Sequence, residues 1–359
     1  MVTPASSLTS TAGAARERST TGLRLVRGLV ALIVAGAVVL ATGYRLGPER
    51  LWSLALVMYL PYPVHLLPAL VGVLLSFALG RGWRLLAMFG LALVLWPVMG
   101  LEVNTGDAAQ GRRPLRVLTY NVKAYLASGR PDGFARLGQE ICRHRPDLVA
   151  LQDANEPALL RRLGIGPLTT LTGLPYRYAF GQFMLASRFP LRECTPGTNA
   201  AGRFIDTWVR CVVDIDGRAI DVYSAHLPTP RQGLNAARQE ALDGVDDWEH
   251  NVAARMARAR DLAAVLRTRS RPVIVAGDLN APPPSLALRT LLDTGLHDAF
   301  ARAGAGFGYT YGHALRPGFS FLRLDHVLVS AEFGVAACTV GAETASEHRP
   351  VIADLWLPR

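Results

Sequence analysis

The strongest constraint on this 359-residue chain is where its apolar residues lie: they crowd the stretch before residue 101 and then thin to an ordinary globular pattern. Leu23 to Gly43 reads LRLVRGLVALIVAGAVVLATG. Its apolar run from Leu29 approaches the ~20 residues that cross a bilayer as a helix. A second apolar stretch covers Leu51 to Gly80, interrupted by Pro61, Pro63, His65 and Pro68, and a third covers Leu85 to Leu101. Between them sits Arg81-Gly82-Trp83-Arg84, a short basic and aromatic connector suited to a membrane interface. A cleaved signal peptide accounts for the first run, but not for the two that follow at once. Three spans are expected. LWSLALVMYL, at the start of the middle one, is the weakest part and suits the interface as well.

Arginine placement gives an orientation. Arg16, Arg18, Arg24 and Arg27 precede the first span, and Arg81 and Arg84 lie between the second and third. Arg45 and Arg50, in the remaining loop, have Glu49 beside them. Positive-inside bias puts the N-terminal tail (1–22) and the 81–84 turn in the cytoplasm. The membrane region is then 23–101, a polar linker follows at 102–114, and a domain over 115–359 lies outside the cytoplasm. The formal charge of +10 is almost entirely arginine, with Lys123 the single lysine. That balance favours anionic partners. Cys142, Cys194, Cys211 and Cys338 include no Cys-x-x-Cys pair, which excludes the usual zinc knuckle. Disulfides are compatible with an oxidising compartment.

After the linker, strands alternate with helices. Strand patterns cover 115–122, 147–152, 183–188, 207–215, 219–227, 272–280, 324–330 and 349–357. Asp216-Gly217 is a hairpin signal between two of them. Helical patterns cover 134–145 and 248–268. In the second, Arg255, Arg258, Arg260 and Arg267 read mostly as a solvated stripe. Gly304 to Gly308 has no strand–helix context and reads as a loop rather than a nucleotide site. Pro282-Pro283-Pro284 ends one loop before the next helix.

Several strands stop at ionisable residues, where α/β proteins place their chemistry. In order these are Asn121, Gln152-Asp153, His226, Gly277-Asp278-Leu279-Asn280, Asp325-His326 and Ser346-Glu347-His348-Arg349-Pro350. Each alone has a bland explanation: a turn, a core histidine, a cap. The ordered set, from YNV, LQD and SAHL to GDLN, LDHVLVS and SEHRPV, resembles the endonuclease/exonuclease/phosphatase superfamily. The resemblance covers about Leu115 to Pro358. It implies an α/β, four-layer sandwich in which two β-sheets are flanked by helices, with the site at one edge.

It also implies roles. A phosphoester repels a nucleophile, and a hard divalent cation, Mg²⁺ or Mn²⁺, offsets that charge. Asn121 and Asp153 would hold the ion, with Glu347 adjacent. His348 would act as general base and Asp325 would fix its tautomer. Asp278 would orient the nucleophile, while Asn280 and His226 would hydrogen-bond phosphate oxygens. Tyr311 would line the substrate groove. Two positions depart from the family pattern: Asp153 stands where glutamate is usual, and Glu347 where aspartate is usual. If both face one ion the swaps compensate in reach, which requires the carboxylates to lie within about 8 Å of one another. Glu156 in the same loop is the competing ligand.

The layout of spans followed by this domain also resembles membrane-anchored bacterial members of the VanJ type, associated with teicoplanin resistance. That resemblance implies a lipid-linked phosphate or pyrophosphate of the cell envelope as substrate. The alternatives are an extracellular nuclease, a phospholipid phosphodiesterase, and an inactive phosphate- or lipid-binding protein that kept the fold.

Overall fold

The computed structural model describes residues 8–109, 111–154, 169–239, 243–315 and 318–357. Two compact units divide the chain, one of residues 1–46 and 60–100, the other of residues 47–59 and 101–359. The first unit contains helices α1 (Leu8–Leu46), α3 (Tyr62–Ser76) and α4 (Arg81–Leu93), the last prolonged by a wider turn over Val94–Val98. Two stretches are long and apolar enough to cross a membrane, Thr21–Leu46 and Arg81–Val98. A shorter apolar helix covers Pro63–Ser76. Val30, Leu79 and Ala87 form a small buried cluster, while Leu32, Leu74 and Phe89 stay more than half exposed.

The apolar stretch from Leu51 is not a single element. Its first part, helix α2 (Trp52–Val57) and the turns around it, belongs to the second unit. Within the expected membrane region 23–101, Gly47–Tyr59 clusters with the second unit. The expected linker also contains structure. Glu102–Val103 (β1) pairs with Ala305–Gly306 (β11), inside the glycine-rich stretch that reads as loop.

The rest of the second unit is two six-stranded sheets flanked by helices. One sheet has the order β13-β14-β2-β3-β5-β4. These strands are β2 (Pro114–Asn121), β3 (Leu148–Gln152), β4 (Tyr176–Phe180), β5 (Phe183–Ser187), β13 (Gly334–Val340) and β14 (Val351–Trp356). The other has the order β10-β12-β9-β8-β7-β6. It contains β6 (Leu191–Thr198), β7 (Phe204–Ile215), β8 (Arg218–His226), β9 (Val273–Asp278), β10 (Leu296–Asp298) and β12 (Asp325–Ser330). The turn joining β7 to β8 has positive φ at both Asp216 and Gly217, as a tight hairpin requires. A disulfide joins Cys194 on β6 to Cys211 on β7.

Side-chain alternation along the strands places the chemistry. Leu115, Val117, Leu148, Ala150, Ile220, Val222, Ile274, Ala276, Val327 and Val329 fill the core between the sheets. Leu118, Tyr120, Val149 and Leu151 face the other way, onto a core completed by Leu137 and Ile141 of helix Gly133–Arg143. With a period of two, the inter-sheet face continues through Thr119, Gln152 and Ser224 to Asn121, His226, Asp278 and Asp325. The apolar core thus gives way first to a polar layer. In that layer Gln152 Nε2 donates to Ser224 Oγ at 2.9 Å and to Thr119 Oγ1 at 3.2 Å. The ionisable residues lie beyond it, at the strand ends.

Gly277 serves this arrangement, because a Cβ there would come within 1.8 Å of the Ala225 carbonyl oxygen. Gly277→Ala should therefore destabilise the domain by about 3 kcal/mol, the upper end for overpacking in a core. Denaturant unfolding checks this, and an unchanged midpoint would show that β8 and β9 can separate freely.

Candidate active site

The parallel pairing of β8 with β9 sets His226 beside Asp278, and the antiparallel pairing of β9 with β12 sets Asp278 beside Asp325. On the facing sheet, β2 and β3 set Asn121 beside Gln152, with Asp153 one residue on. The loop before β14 brings in His348. Asp278, Asp325 and His348 are nearly fully buried, and each offers a ligand atom within 4.8 Å of the others. His348 Nδ1 lies 2.8 Å from Asp325 Oδ2, and His348 Nε2 lies 3.6 Å from Asp278 Oδ2. One imidazole edge is therefore held by a carboxylate, and the other is turned toward a second one. That close Nδ1 contact makes the trio read as a positioned base rather than as a cage for an ion.

Asp278 is held from several directions. Asn121 Nδ2 donates to its Oδ2 at 2.9 Å, and the Asn280 backbone N–H donates to its Oδ1 at 2.9 Å. Burial by itself would raise the Asp278 pKa. The fields of His348, His226 and Lys123 outweigh it and hold the carboxyl below its ordinary range. His348 shows the reverse balance. Burial opposes its charge, but Asp325 and Asp278 favour it more strongly, so its pKa lies above the ordinary 6.5.

The other residues expected from the sequence fall around this centre. His226 Nδ1 contacts Gln182 Oε1 at 2.5 Å, and its Nε2 lies 3.5 Å from Asp278 Oδ2. Asn280 Nδ2 donates to the Leu227 carbonyl at 2.9 Å. The Tyr311 ring lies against the His348 ring, centroids 4.9 Å apart, and its hydroxyl accepts from Arg231 at 3.4 Å. A cleft of about 370 Å³ opens beside His226, lined among others by Lys123, Tyr125, Asp153, Asp206 and Arg231.

Each of the two departing carboxylates meets a cation. Asp153 Oδ2 accepts from Lys123 Nζ at 2.5 Å, and Glu347 Oε2 accepts from Arg231 at 3.2 Å. Glu156 lies outside the described residues.

Lys123, Gln182 and Arg231 are contributors that motif reasoning passed over. Lys123 carried a signal, being the only lysine among many arginines. It also has φ 44°, in the left-handed region a long side chain rarely adopts, and Asp153 and Asn280 share that conformation at 48° and 46°. Such backbone strain concentrates at functional sites.

A sequence model of the Endonuclease/Exonuclease/phosphatase family matches residues 118–348, a span running from β2 to His348. The chain belongs to the endonuclease/exonuclease/phosphatase family. Members of this family are hydrolases acting on phosphoester bonds and are typically divalent-metal dependent. An endonuclease/exonuclease/phosphatase from Beutenbergia cavernae is similar at 22% identity, covering 69% of this chain and 72% of its own, with a TM-score of 0.48. The mannosyl-6-phosphatase of Bacteroides thetaiotaomicron is similar at 17% identity, covering 67% and 99%, with a TM-score of 0.46. Sphingomyelinase C from Streptomyces griseocarneus is similar at 19% identity, covering 67% and 99%, with a TM-score of 0.46. No curated protein matches the chain.

The metal implied by the family needs hard oxygen donors. Asn121 Oδ1 and the Asp153 carboxylate supply them at neighbouring strand ends, so the donor chemistry fits a sparse site. Burial would raise the Asp153 pKa, but His226 and Lys123 hold it below the ordinary range, so the carboxylate is ready to bind a cation. The competitor is the Lys123 ammonium already on it. Removing that charge in Lys123→Met should tighten Mn²⁺ binding on the order of tenfold, the size of one nearby charge in a partly solvated site. Isothermal titration measures it, and an unchanged affinity would separate Asp153 from the metal.

Proposed function

We propose that this protein is a membrane-anchored, metal-dependent phosphoesterase acting outside the cytoplasm on a lipid-linked phosphate or pyrophosphate. The observation that carries the hydrolytic part is the Asp325–His348–Asp278 line beside a cleft that presents Lys123, His226 and Arg231. An imidazole held by a carboxylate, a second fixed carboxylate and the Lys123 and Arg231 cations are what attack on a phosphoester needs.

In this reading His348 Nε2 takes a proton from a water as that water's oxygen bonds to phosphorus. Asp325 stabilises the imidazolium at Nδ1, and Asp278 holds the water in line. The bond from phosphorus to the leaving oxygen breaks on the opposite side. His226 and the second hydrogen of the Asn280 side-chain amide donate to the oxygens on which charge accumulates. Arg231 and Tyr311 line the entrance. Asn121 and Asp153 would hold Mg²⁺ or Mn²⁺, which supplies polarisation of a phosphoryl oxygen.

The membrane part rests on other features. The apolar helices of the first unit keep large side chains such as Leu32, Leu74 and Phe89 exposed, the kind of surface that suits membrane contact. The arginine distribution favours an outward-facing domain, and the Cys194–Cys211 disulfide favours an oxidising compartment. Apolar helices followed by this domain are the layout of VanJ-type proteins, which is why a polyprenyl pyrophosphate is the substrate put forward.

The full chain in detergent micelles with Mg²⁺ or Mn²⁺ should release phosphate from polyprenyl pyrophosphate in preference to cleaving DNA or a phosphocholine lipid. His348→Ala should lower kcat at least about a hundredfold, the usual scale for a general base. Release that survives the substitution would remove His348 from the mechanism. The base must be neutral to accept a proton, and its pKa is raised. The rate should therefore climb with pH through a midpoint above 6.5, and Asp325→Asn should shift that limb downward. A limb at or below 6.5 in the parent protein would contradict the assignment.

Sidedness has its own check. Alkaline phosphatase fused to the C-terminus should be active in cells. An inactive fusion, with an active cytoplasm-only reporter at the same point, would put the domain inside.

A further inference from the structure

The Gly47–Tyr59 segment falls in sequence between two apolar helices, yet it is part of the phosphoesterase unit. Its contacts fall on the two ends of the loop that follows β9. At the near end, the Tyr59 hydroxyl donates to the Asn280 carbonyl oxygen at 2.7 Å. At the far end, the Glu49 carboxylate accepts from the Ser285 hydroxyl, and from the Leu286 backbone N–H at 2.9 Å. Between these points Trp248 Nε1 donates to the Trp52 carbonyl at 3.0 Å. Gly47 makes the close approach feasible: its φ is 113°, and a Cβ there would strike the Leu286 side chain at 2.7 Å.

We propose that Gly47–Tyr59 is a clamp on the Asp278–Ser285 loop, with Tyr59 and Glu49 as positioning residues for the reaction. The first support is Arg255. It is 1% exposed, and its guanidinium donates to the Tyr59 hydroxyl at 2.8 Å, the Pro228 carbonyl at 3.0 Å and Asn251 Oδ1 at 2.6 Å. All three acceptors are neutral oxygens. A buried cation that polarises the Tyr59 oxygen strengthens that hydroxyl as a donor to Asn280. The second support is the geometry of Asn280. Its left-handed backbone directs its N–H to Asp278 and its side chain to Leu227, so its peptide orientation sets both the carboxylate and the phosphate-facing amide. The third is reach. Arg255 binds the carbonyl of Pro228 while Asn280 binds that of Leu227, so one network fixes the chain leaving β8 as well as the chain leaving β9.

The inference rests on the phosphoesterase reading for its kinetic test and stands apart from it in a second one. In the full chain in micelles, Tyr59→Phe should lower kcat about tenfold with KM within about twofold, because small misplacements of catalytic groups cost rate more than binding. Glu49→Ala should act in the same direction. Glu49→Gln, which keeps an acceptor for Ser285 and Leu286, should restore most of the rate, a recovery that simple loss of packing would not show. Folded Tyr59→Phe and Glu49→Ala proteins with the parent kcat would overturn the clamp. Should Tyr59→Phe fail to fold, the Glu49 pair decides alone. Should the parent protein hydrolyse no phosphoester offered, hydrogen exchange decides: the amides of 279–281, 285 and 286 should exchange faster in Glu49→Ala than in the parent, and equal rates would refute the proposal.

Discussion

Two carboxylates, Asp278 and Asp325, are each only 1% exposed at the place where an apolar core runs out, and most of the surrounding structure answers that cost. An unpaired buried charge is strongly destabilising. Here Asp325 has the His348 ring, and Asp278 has Asn121, the Asn280 N–H and two imidazoles. In the proposed reaction, the groups that make Asp278 tolerable would also make it useful. The positive field keeps it ionised, so it would orient a water. Together with Asp325 it raises the His348 pKa, so an imidazolium formed there would be stabilised.

The alternation of strands and the strand-end residues were legible in the sequence because each is written locally. An apolar run that stops at Asn121, Asp278 or Asp325 marks both a strand and its face, and the period of two then fixes which side the next polar residue occupies. What could not be read was pairing over distance. Arg255 shares a spacing with Arg258 and Arg260 and looks like part of a solvated stripe, but it turns inward because Tyr59, nearly two hundred residues earlier, gives it an acceptor. LWSLALVMYL has the composition of a membrane segment, and composition does not say that Trp52 and Tyr59 meet Trp248 and Asn280 instead. Nor does the sequence show that the Asp153 carboxylate meets Lys123 and the Glu347 carboxylate meets Arg231.

Backbone strain gives an independent view of the same place. Lys123, Asp153 and Asn280 all hold left-handed conformations, and all three sit within the set of contacts around Asp278. Asparagine and aspartate tolerate that region, but lysine does so rarely. The strain at Lys123 is held by its ion pair with Asp153, whose field, with that of Asp278, keeps the ammonium charged despite burial. The ammonium therefore occupies the flank of the cleft in a fixed position, and an anionic group entering beside it meets a charge that need not be reorganised.

That fixed charge bears on which substrates suit the cleft. Its fixed cations are few: Lys123 and Arg231 line the cleft together with His226, whose Nε2 lies 3.5 Å from Asp278. A nucleic-acid surface needs charges spread along a strand, with stacking side chains between them. A sparse set of cations instead fits the proposed terminal phosphate or pyrophosphate, whose charge is concentrated on one or two phosphorus centres. Carriage of such a group on a lipid would require the rest of the molecule to remain in the membrane while the phosphate enters the cleft.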